Sequence, residues 1–174
     1  MENRRILIFT GNGKGKTTAA LGMALRASGH NLSVRIIQFI KNDATTGELK
    51  AVENLPGVEL IQRGCGFIPP ATSRAFARHR EAAEQGLILA AEAIASGNYD
   101  LVVLDEICTA VSSGLLGEKA VTDLMQNTPA GRCLVLTGRG ATPGMIELAD
   151  TATEMQCLKH GLTAGLPAQK GVEY

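Results

Sequence analysis

The chain has 174 residues and a mass of 18.3 kDa, the usual size of one domain, and at that length roughly 70% of the unfolded surface can be buried without disulfide or metal staples. Its 45% hydrophobic content and mean hydropathy of +0.08 exclude a disordered polar chain. Seventeen basic residues balance seventeen acidic ones, which argues against a general polyanion binder, and 3% aromatics without tryptophan argues against a base-stacking nucleic-acid platform.

Residues 5–10 form a short β-rich apolar run, followed by a glycine-rich turn and a helical pattern over 16–28. The sequence predicts further strands at 33–39 and 58–62, with a short helix at 46–54 between them. After a Gly/Pro-rich loop at 65–71, residues 73–96 give the longest helical pattern, with Arg74, Arg78 and Arg80 at its start and Leu87, Ile88, Ala91 and Ile94 as its expected buried stripe. Residues 100–105 hold the run Leu101-Val102-Val103-Leu104 ending in acid, as expected of a central strand covered on both faces. A helix at 118–127, an inner strand at 132–137, a helix at 143–150 and a last strand at 153–158 complete the pattern, and the tail from 159 reads as irregular. This alternation predicts an α/β fold with a mostly parallel central sheet and helices on both faces, in a single domain spanning 1–174.

Cys65, Cys108, Cys133 and Cys157 include no Cys-x-x-Cys pair, so they encode neither a zinc cluster nor a compact disulfide framework and read as reduced core thiols. No stretch approaches the ~20 apolar residues of a membrane span, and the N-terminus lacks a signal-like apolar region, so the expected setting is soluble and cytoplasmic.

The loop Thr10-Gly11-Asn12-Gly13-Lys14-Gly15-Lys16-Thr17-Thr18 fits the Gly-Lys-[Ser/Thr] half of a phosphate-binding P-loop, with Thr10 where that pattern has its first glycine. Inward backbone N–H groups, the positive end of the following helix and the Lys16 charge converge on one spot, which suits a polyphosphate. Thr17 is placed to offer its hydroxyl to Mg²⁺ or Mn²⁺. A dinucleotide-binding loop is set aside, because glycines at 11, 13 and 15 do not have its spacing. Asp105 supplies the expected carboxylate of a Walker B strand, with Glu106 as a second metal ligand. An acid after an apolar run also marks an ordinary strand end, and a P-loop ATPase or phosphotransferase would use Glu106 to orient its nucleophile.

Together with Gln38-Phe39-Ile40-Lys41, Gly47-Glu48, Gly64-Cys65-Gly66-Phe67, Thr137-Gly138-Arg139-Gly140, Lys159-His160 and Gly171-Val172-Glu173-Tyr174, these motifs make nearly the whole chain resemble the ATP:corrinoid adenosyltransferases. The resemblance implies a RecA-like P-loop fold, usually a homodimer, that transfers the 5′-deoxyadenosyl group of ATP to a Co(I) corrinoid and releases tripolyphosphate. It also implies a reductase or corrinoid-delivering protein as a partner. Since Co(I) is itself a strong nucleophile, the protein needs to position ATP and stabilise charge on the leaving triphosphate. Lys14, Lys16, Lys41 and Arg139 are the candidate cations for that task, although loop charges such as Lys41 and Arg139 are also common as solvated surface groups. Phe67 matches the family phenylalanine of the corrinoid pocket; by residue type alone it could equally plug the core. His79 and His160 receive no cobalt-ligand role. The sequence departs from the family at Pro69, where a tryptophan is common, and at Thr109, where a tyrosine is common. Many members also carry an N-terminal extension, whereas here the first strand begins within five residues.

Overall fold

Six β-strands and six α-helices make up residues 3–172, the part described by the computed structural model of the protein, alternating except where two helices follow one another before the fifth strand. In chain order they are β1 (Arg5–Thr10), α1 (Lys16–Ser28), β2 (Val34–Gln38), α2 (Gly47–Val52), β3 (Val58–Gln62), α3 (Phe76–Ser96), β4 (Leu101–Asp105), α4 (Ile107–Ser112), α5 (Glu118–Gln126), β5 (Cys133–Thr137), α6 (Pro143–Leu148) and β6 (Thr151–Glu154). A 3₁₀ turn, Gly161–Ala164, lies in an otherwise irregular tail. The strands form one sheet in the order β3-β2-β4-β5-β1-β6, and every pairing is parallel, so the sheet is all-parallel among the described residues.

The period-two geometry of the strands divides their side chains between two apolar layers. Ile6, Ile8, Ile37, Leu104, Leu134 and Leu136 pack with residues of α3, α4, α5 and α6. Val34, Ile36, Leu101, Val103 and Val135 belong to the other layer, with Ala20 and Ala24 of α1 and Val52 of α2. All five residues of β4 are buried, as its apolar run predicts. Truncating a central residue such as Leu104 to alanine is a ~2–5 kcal/mol perturbation of this core.

The expected stripe of α3 holds at Ile94, which is buried, and at Leu87, which packs half-buried against the core, but not at its other two positions. Its buried residues are Phe76, Ala83, Gly86, Ala90, Ala93 and Ile94, whereas Ile88 and Ala91 face solvent. Small side chains bring the helix backbone close to the sheet: a Cβ on Gly86 would stand 3.0 Å from the buried Phe39 ring. The helix begins at Phe76, after a turn in which the Ser73 hydroxyl accepts from the Ala75 N–H at 3.2 Å, so Arg74 precedes it. Helix α4 was not expected from the sequence, and β6 starts two residues before its predicted position. This edge strand pairs Leu7–Thr10 with Thr151–Glu154 and is exposed throughout, so its position is fixed by backbone pairing rather than by an apolar pattern. Leu158, which suggested a longer strand, is exposed. Thr142 accepts from the Met145 N–H and Pro143 follows it, which accounts for where α6 starts.

All four cysteines are free, but they are not all core thiols: Cys108 is buried, Cys65 and Cys133 are half-buried and Cys157 is exposed. Burial pushes the Cys108 thiol up to about 12, reinforced by Glu106, and that of Cys133 to about 11, opposed by Arg5 and reinforced by Asp150. Because the thiolate is the reactive form, a maleimide at pH 8 is expected to label Cys157 in the native protein while Cys108 and Cys133 react only after unfolding. Peptide mass spectrometry reads the order, and rapid native labelling of Cys108 would contradict this packing.

Candidate active site

The loops leaving the carboxyl ends of β1, β2, β4 and β5 meet around one cleft of about 650 Å³, within the ~300–1,000 Å³ range of small-molecule sites. Asn12, Gly13, Lys14, Gly15, Lys16, Thr17 and Thr18 form one wall; Ile40, Lys41, Glu48, Glu106, Thr109, Arg139 and His160 also line it. This is where open parallel α/β sheets bind ligands. Gly11, Asp105 and Phe67 are not among the residues lining it.

The loop after β1 is bonded to the segment that follows β6. The Gly13 N–H donates to the Met155 carbonyl at 2.6 Å, and a Cβ on Gly13 would come within 2.7 Å of the Met155 and Gln156 carbonyl oxygens. Helix α1 begins at Lys16, so its first-turn N–H groups have no helical partner and belong to the cleft wall. Lys16 folds back over the loop, donating to the carbonyls of Gly11 at 2.8 Å and Gly13 at 2.7 Å. Burial pulls its ammonium below the ordinary lysine range; Glu106 and Asp105 oppose that shift and Arg139 reinforces it.

Beneath the loop, the Thr17 hydroxyl donates to Asp105 Oδ1 at 2.8 Å. The same oxygen accepts the Thr137 hydroxyl at 2.7 Å, while Gln38 Nε2 donates to Asp105 Oδ2 at 3.0 Å. Glu106 takes a left-handed backbone conformation, φ 65°, that turns the chain into α4. Its N–H donates to Thr137 Oγ1 at 2.9 Å and its carboxylate accepts the Thr109 hydroxyl. Thr109 Oγ1 in turn accepts the Arg139 N–H at 2.9 Å, so the loops after β4 and β5 are joined.

Lys41 pairs with Glu48 at 2.5 Å. Burial raises the Glu48 carboxyl, but hydrogen bonds from Lys41, its own N–H and Gln38, with the Lys41 charge, outweigh burial and hold it below the ordinary range. Glu48, Thr109, Thr137 and Gln38 had no assigned role in the sequence reading. Gln38, Glu48 and Thr137 stand inside motifs already noted, but their partnerships depend on how the elements are brought together in the fold.

Phe67 is fully exposed, which disposes of the core-plug reading. Its loop is bonded to the cleft wall through Gly64 N–H to the Lys41 carbonyl at 3.2 Å and Gly66 N–H to the Ile40 carbonyl at 2.8 Å. Of the tail motif, Gly171 and Val172 line the cleft and the Val172 carbonyl accepts from Lys14 Nζ at 2.8 Å; Glu173 and Tyr174 lie outside the described residues. No group of three or more His, Cys, Asp or Glu side chains suited to hold a metal occurs among the described residues, and none of their helices is long and apolar enough to cross a membrane.

Residues 2–174 match the family described as ATP:corrinoid adenosyltransferase BtuR/CobO/CobP. The chain is 44% identical to a corrinoid adenosyltransferase of Pseudomonas aeruginosa, over 97% of this chain and 83% of that protein. It is 38% identical to a corrinoid adenosyltransferase of Escherichia coli K12, over 97% and 85% of the two chains. It is also 37% identical, with the same coverage, to the corrinoid adenosyltransferase CobA of Salmonella typhimurium. A P-loop cleft on an all-parallel sheet, matched by family and relatives along almost its entire length, places the chain in the ATP:corrinoid adenosyltransferase BtuR/CobO/CobP family.

Proposed function

We propose that the cleft holds the triphosphate of ATP against the loop 11–18, leaving the ribose C5′ open to a Co(I) corrinoid approaching from the side of Phe67. Corrinoid adenosyl transfer is the activity, with ATP and a corrinoid as substrates. In the proposed step the cobalt electron pair forms the Co–C5′ bond as the C5′–O bond breaks, and the bonding pair of that C–O bond leaves on tripolyphosphate. No proton is removed from the nucleophile, so the protein's task is alignment and charge stabilisation. The observation that carries this reading is the gathering of Lys16, Lys41 and Arg139 around the P-loop cleft. A polyanion there restores the favourable setting for the Lys16 ammonium that burial alone denies it.

The donor set fits Mg²⁺ or Mn²⁺. Thr17 gives its single hydroxyl proton to Asp105, leaving its lone pairs for a hard cation, and Glu106 adds a carboxylate in the cleft. Thr17 would hold the ion directly, Glu106 would face it from the cleft, and Asp105 would act by orienting Thr17. When bound, the ion neutralises charge on the triphosphate.

An anaerobic reaction of Mg²⁺-ATP with chemically reduced cob(I)alamin tests the function. A light-sensitive Co–C product and stoichiometric tripolyphosphate are expected; ADP and phosphate without alkylation would refute it. Phe67→Ala is expected to leave ATP binding within about twofold and to raise the corrinoid KM or lower kcat by at least about tenfold, the scale of losing one well-placed aromatic contact. Unchanged corrinoid kinetics would remove Phe67 from the site.

A further inference from the structure

Gln38 closes β2 and has no exposed surface. The parallel register sets it level with Gln62 at the end of β3 and with Asp105 at the end of β4. Level neighbours project from the same face of a sheet, so a polar row crosses three strands directly under the cleft loops. Gln62 Nε2 donates to Gln38 Oε1 at 2.9 Å, and Gln38 Nε2 donates to Asp105 Oδ2 at 3.0 Å.

Elementary donor chemistry gives this row its direction. An ionised carboxylate only accepts, so Gln38 must turn its NH₂ toward Asp105 and its oxygen toward Gln62. The amide thus serves the carboxylate beneath Thr17, donating to the Asp105 oxygen that Thr17 does not use. Without it, buried Asp105 Oδ2 loses its donor at 3.0 Å. A carboxylate left unsatisfied in the interior rotates to regain a partner, and Thr17 is bonded to its other oxygen.

We infer that Gln38 is a positioning residue that, through Asp105, sets Thr17 in place beside the nucleotide phosphates, with Gln62 fixing the sense of its amide. The inference rests on the proposed binding of Mg²⁺-ATP in this cleft. Gln38 touches no reacting atom and acts through the Asp105 carboxylate.

Gln38→Met keeps similar length while removing both donors; Gln62→Met removes only the orienting bond and lies at a half-buried position where folding tolerates change. Ile36→Val, on the same strand and face but with no polar partner, is the packing control. Mg²⁺-ATP binding is measured by calorimetry, and KM for ATP and for corrinoid by steady-state alkylation. Gln38→Met is expected to weaken Mg²⁺-ATP binding and raise the ATP KM by about tenfold, the scale of losing a hydrogen bond to a charged group, while the corrinoid KM stays within about twofold. Gln62→Met should move the same two quantities by about threefold and carries the test if Gln38→Met does not fold. Ile36→Val should move neither. Wild-type affinity in a folded Gln38→Met or Gln62→Met protein, or an equal loss in Ile36→Val, overturns the inference alone, provided Lys16→Ala abolishes binding. If the wild-type protein does not bind Mg²⁺-ATP, or Lys16→Ala binds it normally, the reading of the cleft falls as well.

Discussion

Lys16→Ala is expected to lower kcat/KM for ATP by at least about 10²-fold, the scale seen when one preorganised donor to a developing charge is removed, while the protein melts near the wild-type temperature. The activity loss follows from geometry. Lys16 stands at the start of α1 on the cleft wall, and its ammonium already spans the loop by bonding the Gly11 and Gly13 carbonyls. Triphosphate oxygens entering the cleft offer that ammonium stronger, charge-assisted bonds than two neutral carbonyls. The stability expectation follows from the opposing terms on the same side chain. Burial of the charge is unfavourable, as the lowered pKa records, and the two carbonyl bonds offset it. Removing the side chain removes both, and the loop remains tied to Met155 through Gly13. Steady-state kinetics and a thermal melt on the same preparation check the two halves together. Near-normal turnover, or a variant that unfolds, would contradict the placement of Lys16.

The P-loop was legible because its chemistry is local: the turn glycines, the lysine and the threonine are consecutive, with an apolar strand before and a helical pattern after. Asp105 was legible for a similar reason, since four apolar residues before an acid can be read without knowing their neighbours. What surrounds Asp105 was not. Thr17, Thr137 and Gln38 reach its carboxylate from three different elements, and only the order β2-β4-β5-β1 brings them together. Helix α4 is six residues long and follows a left-handed turn at Glu106, too short for a helical period to emerge. The face of α3 is half legible: Leu87 and Ile94 pack inward, but the small residues Ala83, Gly86 and Ala90, which carry no large apolar signal, are buried where the helix approaches the sheet, with Gly86 against Phe39. Edge strand β6 has no buried residue for a pattern to reveal.

Gly64→Ala is expected to damage corrinoid use more than Phe67→Ala does, although it adds a single methyl group. The Cβ would fall 1.9 Å from the Ile40 carbonyl carbon and 2.0 Å from its oxygen. These are backbone atoms and cannot swing aside like the end of a flexible side chain. Either the loop carrying Phe67 moves away from Ile40–Lys41, breaking the Gly64 bond to Lys41 and the Gly66 bond to Ile40, or the cleft wall moves with it. Both outcomes change where Phe67 stands relative to the phosphate site, so kcat/KM for the corrinoid should fall by at least about 10²-fold, a scale set by the sensitivity of a near-attack arrangement to displacement of about 1 Å. Stability should fall by ~1–3 kcal/mol, the usual range for overpacking. Gly22→Ala supplies the control of opposite sign. Gly22 lies inside α1, and beyond the adjoining residues and the helix's own backbone nothing stands within 4 Å of its Cβ position, so alanine there should stabilise the helix by ~0.5–1 kcal/mol and leave both substrates untouched. Thermal melts and corrinoid kinetics on the pair separate backbone collision from the generic effect of replacing glycine, and a Gly64→Ala enzyme with wild-type corrinoid kinetics would show that this loop does not set the position of the acceptor.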